Sequence, residues 1–304
     1  MKNLIIFVLL LIFIPYLLVS LFLKEDEIKF NYEKSIVVRV KREQTNTIEK
    51  VYLEDYITGV LAGELPITFS GEAFKAQAVA ARSYVLKKMQ YNVNNDYDVV
   101  DTISNQVYLD SSYLKKAWGN KYIEKINKIK KVVLDTTGEY LTYDGNVIDA
   151  FFFSTSVGYT ENSEDIFTNK VPYLRSVKSQ WDRDVSPVFK DEAQFSLYDF
   201  YLKLNLDYQD KIKLKILETT STGRIKKIDI NGTIFLGNNV VSKLGLRSTY
   251  FDIKQNNDNV LIQTKGYGHG VGMSQYGAEG MARLGFNYEE ILKYYYKDVV
   301  LEKK

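Results

Sequence analysis

Tyr52-Leu-Glu-Asp-Tyr-Ile-Thr-Gly-Val-Leu-Ala-Gly-Glu-Leu-Pro66 reads as an amphipathic helix closed by a proline. Leu53, Tyr56, Ile57, Val60 and Leu61 recur at i, i+3, i+4, i+7 and i+8, the spacing of a face turned to a core, which predicts a helix over 51–61. Pro66 has no N–H to continue it. Downstream, Ser70 is placed to cap a second helix, with Glu72 in its first turn, running to about Met89. Alanines at 73, 76, 78, 80 and 81 would let other backbone approach that helix closely. On the near side, 36–40 predicts a strand. Beyond, 132–133, 140–143 and 148–153 predict strands around the Asp144-Gly145 turn. Residues 213–218 and 224–230 predict two further strands, with Asn231-Gly232 as another turn, and 195–204, 239–245 and 288–296 predict helices. Strands and helices intersperse without regular β-α-β alternation, so the class is α+β.

The chain has 304 residues, 45% hydrophobic and 26% charged, which excludes a disordered, collagen-like or multi-span membrane protein. It lacks cysteine and has one histidine, His269, which excludes disulfide frameworks, thiol catalysis and the usual zinc sites. Lys2 and Lys24 account for the whole net charge of +2, leaving residues 25–304 neutral and arguing against nucleic acid as a partner. Leu4 to Leu23 is an uncharged apolar run of 20 residues, about 30 Å as a helix. Pro15 inside it is tolerated by membrane helices. A cleaved signal peptide is the rival reading, but the run lacks small residues before Lys24-Glu25-Asp26-Glu27. The expected organisation is therefore an uncleaved transmembrane anchor over 1–24, a charged linker over 25–35 and an extracytoplasmic domain over 36–304.

Glu64 falls at 57+7 and 60+4, so a carboxyl continues the apolar stripe. Held among apolar groups, it would have its charged form disfavoured and its pKa raised, as a general acid near neutral pH requires. The alternative is a fraying helix end that turns Glu64 to water. Lys75 and Arg82, seven apart on one face, could orient a polar substrate or simply form a salt-bridged surface. From Phe151 to Asp165 the chain passes from apolar strand to hydroxyl-rich, acidic loop, with Ser154, Thr155 and Glu161 as candidate cleft residues. Those hydroxyls could equally satisfy loop backbone. Gly266-Tyr-Gly-His-Gly-Val-Gly-Met-Ser-Gln-Tyr-Gly277 surrounds His269 with glycines but has neither dinucleotide nor P-loop spacing. His269 is there either a hydrogen-bonded wedge or a partner for Ser274.

Three segments together resemble the stage II sporulation protein D family, membrane-anchored peptidoglycan lytic transglycosylases of endospore-forming bacteria. They are Tyr52–Pro66 with Glu72–Tyr84; Phe152-Phe-Ser-Thr-Ser156 with Thr160–Asp165, Pro172–Val177 and Trp181-Asp182; and Gly266–Ala278 with Ile291–Tyr295. The resemblance extends over roughly 36–300 and places the family's catalytic acid on Glu64. It implies a glycan-binding cleft in which Lys75, Arg82, Ser154, Thr155, Glu161 and His269 are candidate substrate-binding residues. Val157 departs from the expected small or polar residue. Some relatives hold zinc through cysteines absent here, so no metal and no cofactor are expected.

Further implications of the resemblance are peptidoglycan glycan strands as substrate, an engulfment role at the mother-cell/forespore septal membrane, and the sporulation amidase (stage II sporulation protein P) and a membrane scaffold as partners. Two rivals remain. One is a non-catalytic glycan-binding module, since the family includes amidase enhancers. The other is a muramidase pairing Glu64 with Glu161 or Asp165.

Overall fold

The structure is a computed structural model and describes residues 6–7, 9–15, 25–33 and 35–304. Among the described residues no helix is long and apolar enough to cross a membrane. The helical residues described in the amino-terminal run lie within 6–15, about 15 Å of rise against the roughly 30 Å of a hydrocarbon core. The expected transmembrane helix, and with it the single-pass septal-membrane localisation, is corrected accordingly. The rest of the 1–24 anchor segment lies outside the described residues.

Mixed α+β architecture with several small sheets is what the chain adopts. Strands β1 (Val37–Arg42) and β2 (Thr47–Tyr52) form an antiparallel hairpin that runs directly into α1 (Leu53–Glu64) and then α2 (Gly71–Tyr91). β3 (Val99–Val100) adds in parallel to β1. Helices α3 (Ser111–Trp118) and α4 (Tyr122–Asp135) follow, then β4 (Glu139–Tyr143), β5 (Asn146–Val147) and β6 (Phe152–Phe153). Short helices α5 (Ser163–Ile166) and α6 (Asp182–Val185) lead to a lobe of β7 (Lys190–Ser196), α7 (Leu197–Leu204), β8 (Leu214–Thr219), β9 (Ile225–Ile230), β10 (Thr233–Leu236), α8 (Gly237–Leu244), β11 (Phe251–Asn256) and β12 (Asn259–Lys265). The chain returns through β13 (Met273–Ser274), α9 (Gln275–Arg283), α10 (Tyr288–Tyr295) and β14 (Val300–Lys303). β13 pairs in parallel with β6, and β14 pairs with β4, so the carboxyl-terminal segment closes onto the middle of the chain.

Helix α2 is the axle of the larger part. Its Ala73, Phe74, Ala78, Ala81 and Val85 enter the core shared with α1, β1 and α4. Its Ala76, Val79 and Ala80 enter a second core, built with α9, α10 and β4. Small side chains on both faces are what let helices pack on two sides of it, as the alanine spacing predicted. Arg82, fully buried, binds the Glu54 carboxylate of α1 through Nη2 at 2.6 Å and Nε at 3.1 Å and the Glu139 carbonyl at 2.9 Å. It thus ties α1, α2 and β4 at one point. Val132 and Val133, expected in a strand, sit in the last turn of α4. Tyr122, Ile126, Ile129 and Val133 follow helical spacing and are buried, so the longer period overrides the two β-branched residues.

One contact fixes what lies beside the end of α1. Residues 107–109 run along the helix at the positions of Gly59 and Gly63. A β-carbon at Gly59 would stand 2.5 Å from the Tyr108 ring and 2.6 Å from the Leu109 carbonyl, and one at Gly63 would stand 2.8 Å from the Val107 carbonyl. Leu109 N–H donates to the Gly59 carbonyl at 3.3 Å.

Two substitutions test these supports by denaturant unfolding. Arg82→Ala leaves the Glu54 carboxylate without its cation and is expected to cost about 3–5 kcal/mol. Gly63→Ala gains helix propensity but forces the 107–109 segment away, for an expected net loss of about 1–2 kcal/mol.

Candidate active site

Glu64 is the last residue of α1 and is half-buried. The backbone N–H of Val107 donates to its Oε1 at 2.8 Å, and the side-chain amide of Gln275 donates to its Oε2 at 3.3 Å. Burial raises the carboxyl pKa above the ordinary range, and these two hydrogen bonds to the ionised form pull the other way. The stripe position read from the sequence therefore holds: the carboxyl is turned against protein, not into water. Its two partners come from the segment seated on Gly59 and Gly63 and from the first residue of α9.

Gln275 is held where it is by a cluster of hydroxyls around Asp182. This carboxylate is fully buried and accepts from Ser156 N–H at 2.8 Å, from Ser179 Oγ at 2.5 Å and from the Ser274 hydroxyl. Ser179 also shares a hydrogen bond with Tyr295 Oη at 2.7 Å. Ser274 caps α9 by accepting from Gly277 N–H at 3.2 Å, and Tyr276 N–H donates to the Ser154 carbonyl at 3.0 Å. A β-carbon on Gly277 would lie 2.5 Å from Ser179 Oγ and 2.8 Å from Asp182 Oδ2, so the helix can begin only with glycine there. Burial raises the Asp182 pKa, while the hydroxyl and amide donors favour its ionised form. The hydroxyl-rich loop and the glycine-rich segment, read separately in the sequence, are one construction whose product is the position of Gln275.

The remaining candidates are placed elsewhere. Lys75 pairs with Glu72 at 3.2 Å and Asp135 at 3.5 Å, and Arg82 is the internal tie already described. Thr155 is fully buried and bonded to Ser186 Oγ at 2.8 Å, while the Ser154 hydroxyl shares a hydrogen bond with Thr155 Oγ1 at 3.2 Å and its carbonyl accepts from Tyr276 N–H. Glu161 is fully buried against Arg224, with Oε1 3.1 Å from Nε, and also accepts from the Thr222 hydroxyl. Arg224 in turn donates to the Gly268 carbonyl at 2.8 Å. His269 stands among the rings of Phe151, Phe153 and Phe167, with Nδ1 accepting from Val271 N–H at 3.0 Å. Burial, then the Arg224 charge, push its pKa down to about 4, so it is a neutral wedge. Ser274 is committed to Asp182, so the two do not form a catalytic pair. Among the described residues no group of three or more His, Cys, Asp or Glu side chains is arranged to hold a metal ion.

Val107, Asp182 and Gln275 had no assigned role in the sequence. Only Gln275 carries a local signal: Ser274 precedes it as a cap, and Ala278 and Met281 follow at helical spacing.

A raised pKa has a definite sign. The folded chain binds the Glu64 proton more tightly than the unfolded chain does, so the group's contribution is favourable below its unfolded pKa and is lost as pH rises through its folded value. Glu64→Gln keeps the shape and removes the charge. Relative to the parent protein it is expected to be more thermostable near pH 7 than near pH 4, read from melting temperatures of both at the two pH values. A larger relative gain at pH 4 would show that the two hydrogen bonds outweigh burial.

Comparison with known proteins follows the same segments. A family model described as Stage II sporulation protein matches residues 41–143, which hold α1, α2 and Val107. The chain is 42% identical over 267 residues to the Stage II sporulation protein D of Bacillus subtilis (strain 168), covering 86% of this chain and 78% of that one. It is 42% identical over 273 residues to the protein of the same name from Bacillus amyloliquefaciens, covering 88% and 79%. It is also 30% identical over 299 residues to the Amidase enhancer of Bacillus subtilis (strain 168), 81% of this chain but 40% of that protein. By identity over most of both chains, the protein belongs to the stage II sporulation protein D family.

Proposed function

We propose that the protein is a lytic transglycosylase acting on peptidoglycan glycan strands, with Glu64 as its acid/base group. Family membership gives it a stage II sporulation role. The observation that carries the finer reading is a half-buried carboxyl, raised in pKa and hydrogen-bonded at both oxygens, at the end of α1. Of the two carboxyls a muramidase could pair with Glu64, Glu161 is committed to Arg224, and Asp165 accepts from Asn162 Nδ2 at 3.3 Å and Ser221 Oγ at 3.4 Å.

A single carboxyl suits this chemistry. The Oε2 proton passes to the oxygen bridging N-acetylmuramic acid and N-acetylglucosamine as the bond from that oxygen to the muramoyl C1 breaks. The C6 hydroxyl oxygen of the same muramoyl residue then bonds to C1, and its proton returns to Glu64. The product carries a 1,6-anhydro end, and no water is consumed. A hydrolase needs a second carboxylate to activate water or to form a glycosyl-enzyme. Here the nucleophile belongs to the substrate, and such intramolecular delivery is worth on the order of 7–11 kcal/mol. Val107 N–H holds Oε1 in both protonation states. Gln275 serves both as well, because its amide can donate to the carboxylate or, turned over, accept from the acid.

Glycan stripped of its stem peptides by an amidase keeps only the lactyl carboxylate of each N-acetylmuramic acid, and a chain whose residues 25–304 carry no net charge does not repel such a strand. The similarity to an amidase enhancer favours a second reading, a non-catalytic protein that grips glycan for an amidase. Mass spectrometry of stripped glycan strands incubated with the purified protein separates the two. The wild type is expected to generate 1,6-anhydro ends, and Glu64→Gln to slow their release by about 10²–10⁴-fold. Undiminished release by the variant would remove Glu64 from the mechanism, and none from the wild type would leave the gripping role.

A further inference from the structure

Tyr267 stands between two glycines that the local backbone requires. Gly266 and Gly268 have φ of 72° and 97°, the left-handed region. A β-carbon would lie 2.8 Å from the Thr155 carbonyl at the first and 3.0 Å from Phe153 Cβ at the second. Between them the backbone of Tyr267 exchanges hydrogen bonds with Thr155, at 2.8 and 3.0 Å, and its ring is left on the surface, 44% exposed. The same segment adjoins the candidate active site. The Ser154 carbonyl accepts from Tyr276 N–H, one residue past Gln275, so two strand spacings, about 10 Å, separate the backbones of Tyr267 and Tyr276.

The Arg247 guanidinium lies over that ring, 5.2 Å from its centroid. Arg247 follows α8, and its carbonyl accepts from Gly268 N–H at 3.0 Å, so its backbone and its side chain both meet the glycine-rich segment. Its Nε is 2.9 Å from Asp191 Oδ2, but the N–H does not point at that oxygen, and neither Nη donates to any of the described residues. Every other arginine of the chain donates at least one hydrogen bond to protein. Arg247 is thus a planar cation oriented by an aromatic face with its donor fork free, the geometry that receives a carboxylate through two parallel hydrogen bonds. Two lysines add to the local field. Lys190 and Lys265 are directly opposite one another where β7 meets β12, and neither pairs with a carboxylate among the described residues. Like charges so placed destabilise a sheet, and a nearby anion relieves them. The acids that follow Lys190 are Asp191 and Glu192, and Glu192 accepts from Gln263 at 2.6 Å. Cations therefore outnumber carboxylates here, in a chain whose residues 25–304 balance as a whole.

We propose that Arg247, seated on Tyr267, binds the lactyl carboxylate of N-acetylmuramic acid, so that the protein selects muramoyl glycan over a plain N-acetylglucosamine polymer. The proposal rests on the glycan reading of Glu64. The lactyl group is the one anion left on a strand without stem peptides, and Arg247 is the arginine whose donors are free to meet it. The Tyr267 ring beside it offers a face on which a sugar ring can lie. Such binding acts on capture and selection of the strand, and it is read by itself when cleavage is blocked.

The test uses the full chain carrying Glu64→Gln as host, titrated by calorimetry with two ligands of equal length. One is the peptide-free tetrasaccharide of alternating N-acetylglucosamine and N-acetylmuramic acid, and the other is the N-acetylglucosamine tetramer, which lacks lactyl groups. The host is expected to prefer the muramoyl ligand about tenfold. Adding Arg247→Gln is expected to abolish the preference while binding of the N-acetylglucosamine tetramer persists, which also shows that the variant folds. Asp191→Asn, which removes the carboxylate beside the guanidinium, is expected to widen the preference about threefold. Lys254→Gln, the loss of an exposed cation elsewhere on the same lobe, is expected to leave it unchanged. Equal binding of the two ligands by the host, a preference that survives Arg247→Gln, or an equal loss in Lys254→Gln would overturn the site. If the wild type forms anhydro ends and the host shows no preference, the Arg247 site fails alone. If an Arg247-dependent preference is found and the wild type forms no anhydro ends, the lytic reading fails and the site stands.

Discussion

The approach of one extended segment to one helix is the constraint from which the candidate site follows. Residues 107–109 lie so close to α1 that any β-carbon at Gly59 or Gly63 would overlap them. That closeness presents Val107 N–H to the end of the helix, where the carboxyl of Glu64 receives it. An amide fixed by backbone packing does not relax when the carboxyl changes its charge, so it orients Glu64 in either state. The second grip is made differently. Gln275 is a side chain, and its place depends on a buried carboxylate, three serines and a tyrosine that anchor the start of α9. One partner is fixed by backbone packing and the other is a side chain that can turn, a combination that would suit the acid/base role proposed for Glu64.

Charged residues that invite a catalytic reading serve here as joints. Arg82 gathers two helices and a strand, and Arg224 binds the 190–265 lobe to two separate loops, one carrying Glu161 and the other Gly268. Buried ion pairs of this kind add little net stability, because desolvation offsets most of their attraction, yet losing one partner is costly. Their value is in specifying one arrangement of the pieces. Burial among three aromatic rings does most to keep His269 neutral, and the Arg224 charge of the second joint adds to it.

Local periodicity made much of the fold readable. The stripe of α1, the alanines of α2, the turn at Asn231-Gly232 and the final helix all declare themselves within a few residues. Val132-Val133 misleads because a pair of β-branched residues carries less information than the fourteen-residue helix containing it. In the sheet of β11, β12 and β7, the pairing of β12 with a strand about 70 residues earlier leaves no local trace, whereas the β11–β12 hairpin turning at Asn257-Asp258 is local and was simply not read. At the site, Glu64 was legible because its helix has a face. Lys75 and Arg82 were legible as a pair but not as to purpose, since two of the carboxylates that occupy them, Asp135 and Glu54, lie on other elements and only Glu72 is on the same helix. Gln275 and Asp182 matter only through neighbours brought from far away. The amino-terminal run shows the opposite failure, where length and hydropathy predicted a span that the described helix does not provide.

The hydrogen bond between Gln275 and Glu64 joins positions 211 residues apart. Contacts of such separation close late in folding, because the intervening chain must first lose the entropy of a long loop. A chain still emerging from the ribosome thus has α1 and its carboxyl but not the amide that completes their setting. If Glu64 acts as proposed, nascent and truncated chains would lack a finished centre, and only a chain made nearly to its last helix would acquire one.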